Sequence, residues 1–289
     1  MRAWLDRLFA PQWAGGWTLA RILFGVAALL SHGPRVLHLD DAYASRDMVF
    51  SFYPFYFNDH WILTPPTARI VWAVGTAGAL MIVWGGRLAK PGVLVWLVGS
   101  WILLASEALN IKAYDRLMTW VALGLLLGPI GERHLVHKAR SPFGRWYLLV
   151  VYAAIYGSTG WHKVLLEPRW WSGDVLAYHL VNLYFGGRPL GVWASNKAWI
   201  TMPGSWVTLV FEAGFPLLVW FRRTNPILLA MGLSMHLGIL FLMDVGPFSY
   251  CAVAAYPVLL HPDVAHRIWQ WFDARRTAKA AVSEATVSG

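Results

Sequence analysis

Charge is scarce in this chain. Asp, Glu, Lys and Arg make up 13% of its 289 residues, about half of the quarter typical of soluble globular domains. Against that, 57% of the residues are hydrophobic and the mean hydropathy is +0.48. This balance excludes an ordinary soluble domain and describes a polytopic membrane protein. Cysteine is nearly absent: Cys251 stands alone in a late apolar segment, so no intramolecular disulfide and no cysteine-based metal site can be built. The ten histidines contain no HExxH or HxxxH pair, and His134 with His137 lies in a short loop, so no metal is expected. A Gly-rich phosphate loop, a Walker motif and a GxSxG elbow are also missing, which removes an ATP-driven pump and a serine hydrolase. The net charge of +9 is scattered over loops and tail instead of forming a stripe interleaved with aromatics. Nucleic acid is therefore not an expected partner.

What the chain has in abundance is tryptophan, 19 in all, a residue that prefers the headgroup level, where the indole is buried and its N–H finds water. Trp13, Trp17, Trp61, Trp146, Trp170 and Trp171 sit near the ends of apolar runs. Eight such runs approach the ~20 residues that a helix needs to cross a bilayer. They cover 17 to 32, 66 to 85, 92 to 109, 116 to 131, 145 to 165, 204 to 221, 226 to 243 and 246 to 261. The first is preceded by arginines and followed by SHGPRVLHLDD without a small-residue cleavage site, so it reads as a retained signal anchor. Arg21 near its start is expected to snorkel to the interface. The expected fold is all-α: a transmembrane bundle of about eight helices over residues 1–262, with a cytoplasmic tail, partly disordered, over 263–289.

Eight crossings put both termini on one side. The regions on that side carry Arg2, Arg7, Arg87, Lys90, Arg133, Lys138, Arg140, Arg145, Arg222, Arg223, Arg267, Arg275, Arg276 and Lys279, more than half of the 24 cations. The positive-inside rule then places both termini in the cytoplasm. Two long connections, 33 to 65 and 166 to 203, face the outside. Both are aromatic, as in FSFYPFYFNDHW and EPRWWSGDVLAYHLVNLYFGG, and short interfacial helices roofing the outer face are expected there.

This topology gathers the intramembrane ionisable groups in the outer half. Lys163 lies about 18 residues into an outward-running segment, near the outer boundary at 1.5 Å per residue. Glu107 and Asp115 lie at a similar level, and Asp244 at the outer end of the seventh segment; Glu212 and His236 lie closer to the midplane. Lys163 shares a helix face with Thr159, Tyr156 and Tyr152. Gly157 and Gly160 let another helix or a ligand come close. Burial disfavours a charged amine, which suits Lys163 to the role of general base; the alternative is a lysine snorkelling to outer headgroups. Glu212 must be protonated or paired with a cation. His236 serves as a neutral interhelical partner or hydrogen-bonds Glu212. His162 points about a quarter-turn from Lys163.

The stretch YGSTGWHKVLLEPRWWSGDVLAYHL resembles a segment of the vitamin K-dependent gamma-carboxylases and their relatives with the horizontally transferred transmembrane (HTTM) domain. That segment reads roughly aromatic, small, Gly-x-x-Lys, acidic, Trp, x-Gly. FEAGFPLLVWFRRTNPILLAMGLSMHLGILFLMDVGPFSYCAVAAYPVLLHP resembles a second block, and TLARILFGVAALL the opening helix. Together the blocks cover most of positions 15 to 262. The resemblance implies that Lys163 is the catalytic base, deprotonating reduced vitamin K or another quinol that reacts with oxygen. Glu212 and His236 match family positions that shape the pocket, and Tyr156, Thr159, His162, Trp170 and Asp115 are further candidates for its lining. Implied partners are membrane lipids, a quinone and a small secreted peptide or protein, in a bacterial inner membrane with the pocket facing outward. The chain is expected to depart from the animal enzymes in having no counterpart of their large extracytoplasmic C-terminal region, and LASEALNIKAYDRLMTW lacks the histidine-rich character of their corresponding loop. Gamma-carboxylation of a protein is therefore one expectation among others. A non-enzymatic lipid-binding or assembly component competes with it; a transporter ranks third, because no inverted repeat or paired broken helices are seen.

Overall fold

A computed structural model describes residues 9–44, 63–106, 112–132 and 138–287, with side chains described as far as 275. It is an all-α bundle. Its long helices are α1 (Gly15–His32), α2 (Pro65–Trp84), α3 (Ala89–Ser106), α4 (Ala113–Leu127), α5 (Phe143–Leu166), α9 (Ala198–Leu218) and α10 (Asn225–Leu242). The short helices α6 (Arg169–Ser172), α7 (Asp174–Val181) and α8 (Pro189–Ser195) lie between α5 and α9, where interfacial helices are expected. After α10 come α11 (Phe248–Val253), α12 (Tyr256–Leu259) and the terminal α13 (Pro262–Val287). The stretches Gly15–Tyr43, Pro65–Trp84, Gly86–Ser106 and Asn225–Leu242 are long and apolar enough to cross a membrane.

Seven of the eight expected segments coincide with single long helices. The eighth, 246 to 261, is two short helices, because the chain turns at Ala254 and Ala255 and Pro257 stands in the first turn of α12, where a missing N–H is harmless. The tail expected to be partly disordered is helical through Val287, in keeping with the strong helix formers of ARRTAKAAVSEA. Glu107 and Asn110, the aromatic stretch 50–61 with Trp61, and His134 with His137 lie outside the described residues.

Two ends of the bundle can be told apart. At one, β1 (Gln12–Trp13) pairs antiparallel with β2 (Ala139–Arg140), and Trp13 stacks on His266 of α13 at 5.7 Å. The chain start, the α4–α5 connection and the start of α13 are thereby drawn together. At the other end α6–α8 fold over α9 and α10. Gly173, at φ +82°, leaves no room for a side chain, since a Cβ there would lie 2.7 Å from the Met202 amide nitrogen. Trp206 donates its indole N–H to the Trp171 carbonyl at 2.9 Å.

Arg21 does not snorkel. It is 1% exposed and donates from Nη1 to the carbonyls of Ile82 and Val83, the latter at 2.7 Å. Those carbonyls belong to the last turn of α2, where no further N–H is available and a guanidinium is a strong donor. Gly85, at φ +80°, makes this possible: a Cβ there would collide with Arg21 Cζ at 2.6 Å.

Candidate functional site

The site is built by the close approach of α5 and α9. Gly160 has no side chain where a Cβ would lie 2.4 Å from the Ala213 nitrogen and 2.7 Å from Glu212 Cβ; Gly157 likewise faces Pro216 Cγ at 3.0 Å. The two glycines therefore admit a helix. Pro216 adds a second local effect, because it has no N–H for the carbonyl four residues earlier, that of Glu212. The backbone of α9 is loosened at the level of its one acidic residue.

Lys163, one turn beyond Gly160, meets that residue. Its Nζ donates to Oε1 and Oε2 of Glu212, each at 2.7 Å, and sits 4.6 Å from the centre of the Trp170 ring. The Lys163 side chain is 21% exposed and that of Glu212 9%. Both oxygens and an aromatic face thus hold the ammonium, an arrangement stronger than a single neutral hydrogen bond. Sequence reasoning ends the pocket wall in an amine and leaves Glu212 either protonated or paired with a cation. The geometry makes Lys163 that partner, so a proton can move within the pair before the amine takes one from elsewhere.

Beneath the pair lies an aromatic core. Tyr156 packs edge-on against Phe211 at 4.6 Å; its hydroxyl is 2.9 Å from His236 Nε2 and 3.1 Å from the Tyr256 hydroxyl. His236 therefore partners tyrosines and does not hydrogen-bond Glu212. Gly232 leaves the space that the Tyr256 hydroxyl requires, since a Cβ there would lie 2.5 Å from it. Tyr152 donates to the Ala252 carbonyl at 2.8 Å.

Other expected members lie elsewhere. Thr159 is exposed and turns its hydroxyl back to the Ile155 and Tyr156 carbonyls at 3.1 Å, as threonines in helices do. His162 is exposed on the outer side of α5. Asp115 is not brought to Lys163: its Oδ1 accepts from Arg35 at 2.5 Å, and its Oδ2 accepts from the Lys112 amide at 3.0 Å, capping α4.

His179 is the member that sequence reasoning misses. Its ring lies 6.0 Å from Trp170 and 5.6 Å from Phe185. The Asn182 carboxamide oxygen accepts from the amides of Tyr184 and Phe185 at 3.0 and 2.8 Å. Its NH2 must then be the end 3.1 Å from His179 Nδ1. Nδ1 is consequently the acceptor, and the neutral ring carries its proton on Nε2. Burial, aided by the Lys163 ammonium, lowers the His179 pKa from its ordinary value, in agreement with a neutral ring. The available signal is His179 in the last turn of a short helix with Asn182, three residues on, at its C-terminal cap.

Compared with protein-family models, with curated proteins and with solved structures, the chain matches none.

Proposed function

We propose that this chain is an integral membrane protein of the HTTM type, with its termini in the cytoplasm and the Lys163–Glu212 site near the outer face of the membrane, acting on a quinol-type ligand. The observation that carries the proposal is the ion pair itself: Lys163 Nζ held at 2.7 Å from both Glu212 oxygens and above an aromatic face, at the far end of an apolar helix. A charged pair there needs a reason, because each ion costs several kcal/mol to desolvate.

The residues present fit a flat, hydroxyl-bearing ring. Trp170, buried with Lys163 Nζ over its ring, holds the amine in place, Lys163 and Glu212 offer a proton acceptor, and the neutral His179 keeps an N–H to donate to an oxygen. When bound, a reduced quinone would supply the electrons for reaction with oxygen. The protein's part is proton handling. Lys163 passes one Nζ proton to Glu212 across 2.7 Å and becomes a neutral amine, which can then take a hydroxyl proton from the ligand. The net transfer runs from ligand hydroxyl to carboxylate. Trp170 positions the amine, and His179, kept neutral, adds no cation beside it. The downstream substrate class that this reading supports is a lipid or a small secreted peptide, through oxygenation or carboxylation-type chemistry.

One observation favours a second reading. Both carboxylate oxygens are already engaged by Lys163, as in an ion pair that only ties α5 to α9. The protein is then a non-enzymatic lipid-binding or assembly component. Lys163→Arg separates the two, because it preserves a charged pair but cannot serve as a base near neutral pH. Loss of quinol turnover with the folded bundle retained supports the enzyme. If no turnover is found in the wild type and Lys163→Arg is as stable as wild type, the second reading stands.

A further inference from the structure

The β1–β2 end of the bundle holds a cavity of about 380 Å³. It lies far from the ion pair, since Arg145, in its wall, precedes Lys163 on α5 by 18 residues, roughly 27 Å at 1.5 Å per residue. Arg145, His261 and His266 line it together with Trp13, Trp146 and Trp220. Arg145 is 6% exposed. Its guanidinium is fixed by donation from Nε to the Val258 carbonyl at 3.1 Å and from Nη2 to the Leu259 carbonyl at 3.3 Å, which uses two of its five N–H groups. His261 accepts from the Asp263 amide on Nδ1 at 3.4 Å, leaving Nε2–H as a donor. The carboxylate in the cavity wall, Asp263, lies 3.6 Å from the Arg222 guanidinium and 3.9 Å from His261 Nδ1, so Arg222, outside the wall, offsets its charge and Arg145 supplies the wall's cation.

Beside this cavity is a second, of about 490 Å³, whose lining includes Leu19, Leu23, Leu229, Leu233, Ile268 and Phe272. Trp13 borders both cavities. A fixed guanidinium and imidazoles ringed by indoles, next to an aliphatic groove, match one class of molecule in charge and in polarity: a phosphate-bearing head joined to an acyl chain. We infer that this end of the bundle is a binding site for an anionic phospholipid, with the phosphate at Arg145, His261 and His266 and a chain in the groove between α1, α10 and α13.

The test is native mass spectrometry of the full chain in mild detergent, titrated with dioleoylphosphatidylglycerol, with dioleoylphosphatidylcholine and with inorganic phosphate. The wild type should retain phosphatidylglycerol about tenfold better than phosphatidylcholine, and Arg145→Gln should lose that preference, the effect of one charge-assisted contact. Because Arg145 also ties α5 to α12, His266→Glu, at an exposed position, serves as the second variant and should lose the preference by repulsion. Lys163→Ala should keep it, which separates this site from the one at the other end. Equal retention of the two lipids, or a preference unchanged in both cavity variants, would overturn the inference. Displacement of phosphatidylglycerol by millimolar inorganic phosphate would overturn the assignment to a lipid.

Discussion

At the scale of single residues, the central feature is a lysine and a glutamate that neutralise each other where neither is stable alone. Removing one partner strands the other charge, whereas removing both leaves an apolar contact. Glu212→Gln and Lys163→Met should each lower Tm in detergent, and the double variant should recover part of the loss. The expected coupling is about 1–3 kcal/mol, toward the low end because Lys163 keeps some contact with solvent. Additive losses would mean that the pair does not hold α5 to α9. His179 gives a pH signature. Its imidazole is held below the ordinary value of 6.5, so the unfolded chain binds that proton more readily than the folded one. Stability from the neutral ring is therefore present above about pH 6.5 and is lost as pH falls below it. His179→Gln should flatten the acid limb of the Tm profile; an unchanged limb would show that His179 is not held neutral.

At the scale of elements, glycine decides where the helices meet. Gly160→Ala forces a methyl group against the α9 backbone and should destabilise by roughly 1–3 kcal/mol, and by more in Gly160→Leu. Gly238 in α10, with nothing within 4 Å of a Cβ, is the matched control: Gly238→Ala should be neutral or stabilising by up to about 1 kcal/mol. Equal losses at the two positions, read by thermal unfolding, would remove Gly160 as the contact that places Glu212. This contrast also marks what a sequence can reveal. The long helices are legible as apolar runs, although hydropathy and length alone single out only four stretches among the described residues and neither α5 nor α9, and Lys163 and Glu212 stand out singly as charges in apolar surroundings. Their partnership is not legible, because it joins positions 49 apart and depends on which faces two glycines bring together. Arg21 defeats the reading for a similar reason: snorkelling is the default for an arginine near a helix end, and only the fold reveals the unpaired carbonyls of α2. His179 escapes because a helix of eight residues carries too little periodicity to show a face.

At the scale of the whole molecule, the protein is a two-ended bundle. One end is drawn together by β1–β2 and the Trp13–His266 stack; the other carries the ion pair beneath α6–α8. In intact cells a cysteine placed at Arg188 should react with a membrane-impermeant maleimide, and one at Arg140 only after permeabilisation. Cys251, which is fully buried, should give no background. The reverse pattern would invert the topology and put Lys163 on the cytoplasmic side. The central claim, that the Lys163–Glu212 pair does chemistry on a quinol, is tested most directly by mass spectrometry of the organic extract of protein purified in mild detergent. Wild type, Lys163→Ala and Lys163→Arg would be compared, and any recovered quinol assayed for oxygen-dependent epoxidation. A co-purifying quinone converted by the wild type alone is expected. Ordinary phospholipids in all three, with no conversion by any, would contradict it and leave the ion pair as a tie between two helices.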